Sequence, residues 1–335
     1  MIGYYVHHQG AGHLRRMQSI VAHATEPVTV LSSLPRPAWF LGAWVQLAAD
    51  DEDAHPRGVT AGGTLHWAPR HDPGLARRSA QVLEWLVTAR PSLVVVDVSV
   101  EVALLVRLAG VPVVVAAMRG DRSDRAHTTA YDLADALIAP WPEAAPEPWP
   151  RSWLDKTVHV GGLSRFDGRT RPAARSVASR HALLLWGDGG KGHDPEALEQ
   201  LQAVTPDWTW ELAHPGRRLG PEEIWRALCA AEVVVTHGGQ NAVAEVAAAG
   251  TPAVVVADPR PFDEQLHTVR AVREAEIAVG VDAWPDAAAW PGLLRDAVRL
   301  GGTGWARWTY GDGAARAARF LDLLASRPRR PALGA

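Results

Sequence analysis

The chain has 335 residues, 47% of them apolar, and a formal net charge of −3. That is room for two domains with separate cores, and it excludes both a disordered polyelectrolyte and a basic nucleic-acid-coating protein. Of 34 basic residues only Lys156 and Lys191 are lysines, the arginines are scattered among acids, and the single Cys229 excludes an intramolecular disulfide and fits a reducing compartment.

The opening MIGYYVHHQG has no basic start and no long apolar stretch, unlike a secretory signal. No apolar run reaches the roughly 18–20 residues of a membrane span. A cytoplasmic protein is expected, with peripheral contact at the inner face of the membrane left open. Short β-rich runs then alternate with helical patterns, the mark of parallel α/β structure. In the first half, strands are predicted at 2–7, 27–33, 44–48, 93–98, 111–117, 135–139 and 157–161, with clear helices at 73–90 and 100–110. Residues 139–153 carry five prolines and read as irregular surface loop. A polar, Arg-rich stretch follows, and alternation restarts with strands at 181–187, 208–213, 232–237, 252–257 and 276–281. Helices are predicted at 221–232, after Phe262 and at 312–326. The expected organisation is a first domain over 1–163, a linker over 164–180, a second domain over 181–305, a terminal helical segment over 306–327 and a tail over 328–335.

In parallel sheets ligands bind beyond the carboxyl ends of strands, so loops that follow strands are where chemistry is sought. Three are glycine-rich. HHQGAGHLRRM follows the first strand and puts His13 at a helix start facing a cleft, where an imidazole serves as general base. The plainer reading is a tight turn with His13 as a cap. LLLWGDGGKGHD, around Asp188 and Lys191, forms an anion cradle without the Walker spacing; a flexible loop is its plain alternative. VVVTHGGQNAVAE aims the N-terminus of a helix at whatever lies beyond Gly238 and Gly239, a place for two phosphates with His237 and Asn241 as added donors. Glu245 lies one helical turn past Asn241, suited to a ribose diol. Asp263, Glu264 and Gln265 follow the next strand, where they can read sugar hydroxyls or simply favour a helix start.

The run H-G-G-x-N-x-x-x-E, then A-x-G-x-P and D-E-Q, resembles the nucleotide-sugar signature of GT-B-fold glycosyltransferases, closest to the MurG-like (family 28) group of UDP-sugar transferases. GAGHLRRM and GDGGKG are similar to the glycine loops of the two domains in that group. The resemblance implies a GT-B fold: two Rossmann-like parallel α/β domains facing across a cleft, with a C-terminal helix crossing back to the first domain. It implies an acceptor domain first and a donor domain second. Gly12, Gly189, Gly190, His237, Gly238, Gly239, Gln240 and Asn241 would hold the diphosphate, Glu245 the ribose, and Asp263, Glu264 and Gln265 the sugar. Ala242 departs from a frequent Ser or Thr, and Leu219–Pro221, the expected base-reading segment, offers no aromatic ring.

The implied reaction is inverting hexosyl transfer from a nucleoside diphosphate sugar, with UDP expected, to an acceptor hydroxyl of a cell-envelope or lipid-linked intermediate or a small molecule. His13 would be the base and Asp97 its partner, although Asp97 reads equally well as a helix cap. No metal or cofactor is called for, because helix ends can neutralise the diphosphate. Gly10, Gly12, His13 and Arg16 also resemble a GT-B nucleotide-sugar hydrolase of pseudaminic acid synthesis, in which His13 would activate water. A non-catalytic binding scaffold is a third reading. PRPAWFLGAW (35–44) is expected to pack in the core rather than face a membrane, and MRGDRSDRAH (118–127) to be a solvated loop.

Overall fold

The computed structural model describes residues 1–9, 11–51, 53, 55–172, 180–186, 195–213 and 219–326. The first half runs β1 (Ile2–Val6), α1 (Ala11–Val21), β2 (Val28–Ser32), β3 (Ala43–Gln46), α2 (Pro73–Ala89), β4 (Leu93–Asp97), α3 (Val100–Leu108), β5 (Val113–Ala116), α4 (Arg125–Leu133), β6 (Ala136–Ala139), α5 (Arg151–Leu154) and β7 (Thr157–His159). The second runs β8 (Arg180–Leu185), α6 (Pro195–Val204), β9 (Trp208–Ala213), α7 (Pro221–Ala230), β10 (Val233–His237), α8 (Gln240–Ala249), β11 (Ala253–Val256), α9 (Glu264–Glu274), β12 (Val279–Val281), α10 (Trp290–Leu300) and α11 (Gly313–Ala325).

Both sheets are parallel throughout. β1 and β4 are buried along their whole length, as apolar strands covered on both faces must be. The first sheet has the order β3-β2-β1-β4-β5-β6-β7 and the second β12-β11-β10-β8-β9. Strand order therefore reverses between β1 and β4 in one sheet and between β10 and β8 in the other. The crevice at each reversal is where a parallel sheet takes its ligand. Helix starts follow local chemistry. The Asp72 carboxylate accepts from Leu75 N at 2.6 Å ahead of Pro73, and Arg90, at φ 48°, ends α2 in the left-handed region.

α11 returns to the first domain. Its Ala314, Ala317, Ala318 and Leu321 join Ile2, Tyr4, Met17 and Ile20 in one buried cluster, the small residues allowing close approach to α1. Asp322 fastens it by accepting from Thr25 N (2.9 Å), Thr25 Oγ1 (2.7 Å) and Glu26 N (3.0 Å).

Four expectations need correction. Residues 139–153 are irregular only as far as Pro150, and they are only partly surface: Glu143, Ala144, Pro146 and Pro148 are exposed, but the three tryptophans are not. Trp141, Glu147, Trp149 and Trp153 are buried, and Arg151–Leu154 form α5. The prolines block regular pairing while the indoles drive the segment inward. The 35–44 segment divides: Phe40 is buried, but Trp39 and Leu41 are exposed. The 118–127 segment is not solvated loop either, since Arg119 and Arg122 are buried and α4 begins at Arg125. β12 also starts later than expected, because Ile277 N and Ala278 N both turn back to Val272 O and close the end of α9.

Candidate functional site

At the first reversal, the end of β4 brings Asp97 beside the opening turn of α1. Asp97 has no exposure, and its Oδ1 lies 2.8 Å from His13 Nδ1 and 2.9 Å from Arg16 Nη1. The Tyr4 hydroxyl reaches Oδ2 at 3.5 Å. Burial alone would raise the Asp97 pKa, but Arg16 and His13 outweigh it and hold the carboxyl below its usual range. An ionised carboxylate only accepts, so His13 carries a proton on Nδ1, and Nε2 is the ring nitrogen turned away from Asp97. The capping role left open for Asp97 belongs instead to Ser99, whose hydroxyl accepts from Val102 N at 3.2 Å. His7 meets the His13 ring edge-on at 5.9 Å and stacks on His8 at 4.7 Å. Burial, aided by His8 and His13, pushes His7 down to about 3.

The second reversal presents His237–Asn241. Here the expected phosphate donors are partly spent. Gly239 N–H is taken by His237 Nδ1 at 3.0 Å and Gly238 N–H by Val256 O at 2.9 Å. The first intrahelical bond of α8 is Val243 N to Gly239 O, so the amides of Gln240, Asn241 and Ala242 precede the ladder, the kind of helix end that suits an anion. Gly238 has a packing reason: a Cβ there would sit 2.7 Å from Gln265 O.

The two reversals face one another. Asn241 Nδ2 donates to Gly12 O at 3.4 Å, and Arg16 Nη2 donates to Gln240 Oε1. Arg16 thus bridges the His13–Asp97 pair and the start of α8. Glu245 is 5% exposed and held by Arg165, with Nε to Oε1 at 2.9 Å and Nη2 to Oε2 at 3.2 Å. Burial raises its pKa, against the pull of Arg165. Arg15, Arg16 and Arg165 line a small recess with Asn241 and Glu245. Beyond β11, Asp263 is exposed, and Glu264 Oε1 accepts from Arg122 Nη2 at 2.8 Å. Gln265 is buried, its amide oxygen taking Asp258 N–H at 3.0 Å, so that oxygen serves the loop.

Gly189 and Gly190, with Gly10, Asp188 and Lys191, lie outside the described residues. The sequence marks Arg16 only as a motif position and singles out neither Arg122 nor Arg165, because arginines scattered among acids carry no periodic signal.

The architecture is that of GT-B proteins. A kitacinnamycin glycotransferase superposes with a TM-score of 0.65 at 16% identity, over 97% of this chain and 98% of the other. Acinetobacter baumannii MurG does so with 0.62 at 14%, over the same shares. Residues 222–283 match the glycosyltransferase family 28 C-terminal domain. A UDP-N-acetylglucosamine–N-acetylmuramyl-(pentapeptide) pyrophosphoryl-undecaprenol N-acetylglucosamine transferase of Clavibacter sepedonicus is 40% identical over 116 residues, 32% of this chain and 31% of that protein. The enzyme of the same name from Sorangium cellulosum is 29% identical over 247 residues, 60% of this chain and 58% of the relative. The matched stretches thus span about a third to under two thirds of these curated relatives. The chain therefore shares the fold of these proteins, and its residues 222–283 match the family 28 C-terminal domain.

Proposed function

We propose that this protein is an inverting glycosyltransferase that moves a sugar from a nucleoside diphosphate sugar to an acceptor hydroxyl. The observation that carries the reading is the buried Asp97–His13 pair standing opposite the N-terminus of α8, with Arg16 joined to both. Asp97 fixes the tautomer in which Nε2 can take a proton from the acceptor hydroxyl, which then attacks the anomeric carbon from the side away from the leaving group. The C–O bond to the diphosphate breaks as the new C–O bond forms. The departing anion is stabilised by the amides of Gln240, Asn241 and Ala242 and by the charge of Arg16. Glu245 receives the ribose hydroxyls, and Glu264 with Asp263 reads the sugar.

UDP is the favoured carrier, because the curated relatives are UDP-N-acetylglucosamine transferases. A thymidine diphosphate is bound to a spinosyn rhamnosyltransferase of similar fold (TM-score 0.55), so dTDP is the comparison to make. These relatives are named as transferases, which favours transfer over hydrolysis. Among the described residues no helix is long and apolar enough to cross a membrane. A cytoplasmic enzyme that meets its acceptor in solution or at the inner membrane face is consistent with that.

The test pairs binding with turnover. UDP- and dTDP-sugars are incubated with the protein, with and without candidate acceptors, and released sugar and diphosphate are quantified. Acceptor-dependent release supports transfer; equally rapid release of free sugar without an acceptor supports hydrolysis. His13→Ala should abolish release and leave diphosphate affinity unchanged, and near-normal turnover in that variant would rule out the base assignment.

A further inference from the structure

His66, Asp124 and His127 converge closely enough to suggest a metal trio. Their hydrogen bonds assign them differently. Asp124 Oδ1 accepts from Ala126 N and His127 N, both at 3.1 Å, as the cap of α4. Its Oδ2 faces His127 Nδ1 in a short contact. On the other side of that ring, Arg122 Nη1 lies 3.1 Å from His127 Nε2. A guanidinium has only donors, so Nε2 must accept and the ring proton must sit on Nδ1, where Asp124 takes it. Both ring nitrogens of His127 are therefore spoken for, and no lone pair is left for a cation. Burial first, and Arg122 next, lower the His127 pKa to about 4, in keeping with this neutral tautomer.

The chain of contacts does not end at Arg122. Its side chain is 2% exposed, its Nη2 donates to Glu264 Oε1 at 2.8 Å and to Arg119 O at 2.5 Å, and its guanidinium lies 5.2 Å over the Phe262 ring. Phe262 packs on His127 at 4.6 Å, and its carbonyl accepts from Asp121 N at 2.8 Å. Gly120, at φ 106°, makes this approach feasible: a Cβ there would stand 2.2 Å from Phe262 O. The loop after β11 in the second domain is thus seated on the loop after β5 in the first.

We propose that Arg122, fixed by the Asp124–His127 pair, is a positioning residue that aims the Glu264 carboxylate at the donor sugar. The sugar is then selected by a group assembled from both domains rather than by the second domain alone. The inference rests on the donor reading above. Arg122 occupies Oε1, and among the described residues Oε2 makes no hydrogen bond, so one oxygen is anchored while the other meets hydroxyls. Without the anchor a half-exposed glutamate spreads over several rotamers, and ordering it on binding offsets part of the affinity gained.

Calorimetric titration of the full chain with UDP, UDP-N-acetylglucosamine, dTDP and dTDP-glucose tests this without an acceptor. The ratio of the Kd for the free diphosphate to that for its sugar nucleotide is the sugar's own contribution. Arg122→Met and Glu264→Gln should each reduce that ratio about tenfold, the loss expected for one charged hydrogen bond. The double variant should lose no more than either single one, and the free diphosphate Kd should stay unchanged. Arg122→Lys, which keeps the charge but lacks the fork that spans His127 and Glu264, should resemble Arg122→Met. The proposal is overturned if Arg122→Met leaves the ratio intact, if its loss adds in full to that of Glu264→Gln, or if free diphosphate binding weakens in proportion. Glu264→Gln leaves Arg122 in place, so it reads the sugar contact even where the arginine variants fold poorly. A wild-type protein that binds neither diphosphate overturns the donor reading itself, and this inference with it.

Discussion

Asp97→Asn separates the chemistry of the cleft from its packing. The native carboxylate, with no exposure, takes His13 at 2.8 Å, Arg16 at 2.9 Å and Tyr4 at 3.5 Å. Asparagine keeps the shape but loses the charge and replaces one acceptor oxygen with an NH2. Arg16, 5% exposed, then keeps Gln240 but loses its counter-ion. Breaking one side of a buried pair costs about 3 kcal/mol and lowers the melting temperature, by less than the roughly 6–12 °C that a chain of about 150–250 residues would show. The NH2 can also donate to His13 Nδ1, which moves the ring proton to Nε2 and removes the lone pair that a base needs. Loss of tautomer and orientation should lower turnover about 10²–10⁴-fold.

The assay is steady-state release of nucleoside diphosphate from a sugar nucleotide with acceptor present, beside calorimetric binding of the diphosphate and thermal unfolding. Turnover should fall far more than diphosphate affinity, because on the proposed reading the diphosphate is held mainly by the amides that open α8, which Asp97 does not contact. The folded Asp97 pKa is depressed, so its stabilisation is present above the unfolded value near 3.9 and is lost as pH falls through the folded pKa. Wild type and variant should therefore converge in stability in strong acid and diverge at neutral pH. Turnover within about threefold of wild type, or a loss of diphosphate affinity as large as the loss in turnover, would refute the assignment.

Arg165→Ala strands the buried Glu245 carboxylate and should destabilise by about 3 kcal/mol near neutral pH. Because burial already raises the Glu245 pKa, protonation relieves the defect, so urea unfolding should show a smaller deficit at pH 5 than at pH 8. His7, held down to about 3 by burial and its neighbours, stays neutral in the folded protein while the unfolded chain takes up a proton near 6.5. Stability should decline between those values, and His7→Asn should flatten the decline in denaturant midpoints measured against pH. Asp322→Ala removes three hydrogen bonds that seat α11 and should cost about 1–2 kcal/mol, seen as faster amide exchange along 313–325.

The fold was largely legible because its signals are periodic or local. Valine-rich runs bounded by turns marked β4, β5, β10 and β11, and the 73–90 helix ends one residue from its expected limit with Asp72 and Arg90 as caps. Errors came where tertiary burial overrode local composition. Five prolines made 139–153 look like surface, yet Trp141 and Trp149 pack 5.6 Å apart inside it, and the buried Glu147 joins Arg119 at 2.7 Å to His267 at 2.7 Å. In the 35–44 segment the aromatic cluster gave no sign of which rings would turn outward, because no helix forms there to set a face.

The site was legible on one side only, and the reason is physical. A helix N-terminus fed by glycines is a local object, written in consecutive letters, and so was the position of His13. The groups that complete it are arginines from distant segments. Arg16 holds Gln240, Arg122 holds Glu264 and Arg165 holds Glu245, across separations of 224, 142 and 80 residues. Ion pairs of this kind have no period, and in a chain with so many arginines composition does not single them out. Their pattern has a consequence for donor binding. Three positions of the expected donor motif are already met by a guanidinium from residues far earlier in the chain. A guanidinium forks over five N–H donors, so Arg16 and Arg165, which line the recess beside Asn241, can hold their present partners and still meet an incoming phosphate or hydroxyl. On the proposed donor reading, the arginines fix these side chains before the donor arrives, so the motif between His237 and Gln265 depends on Arg16, Arg122 and Arg165, which no local pattern reveals.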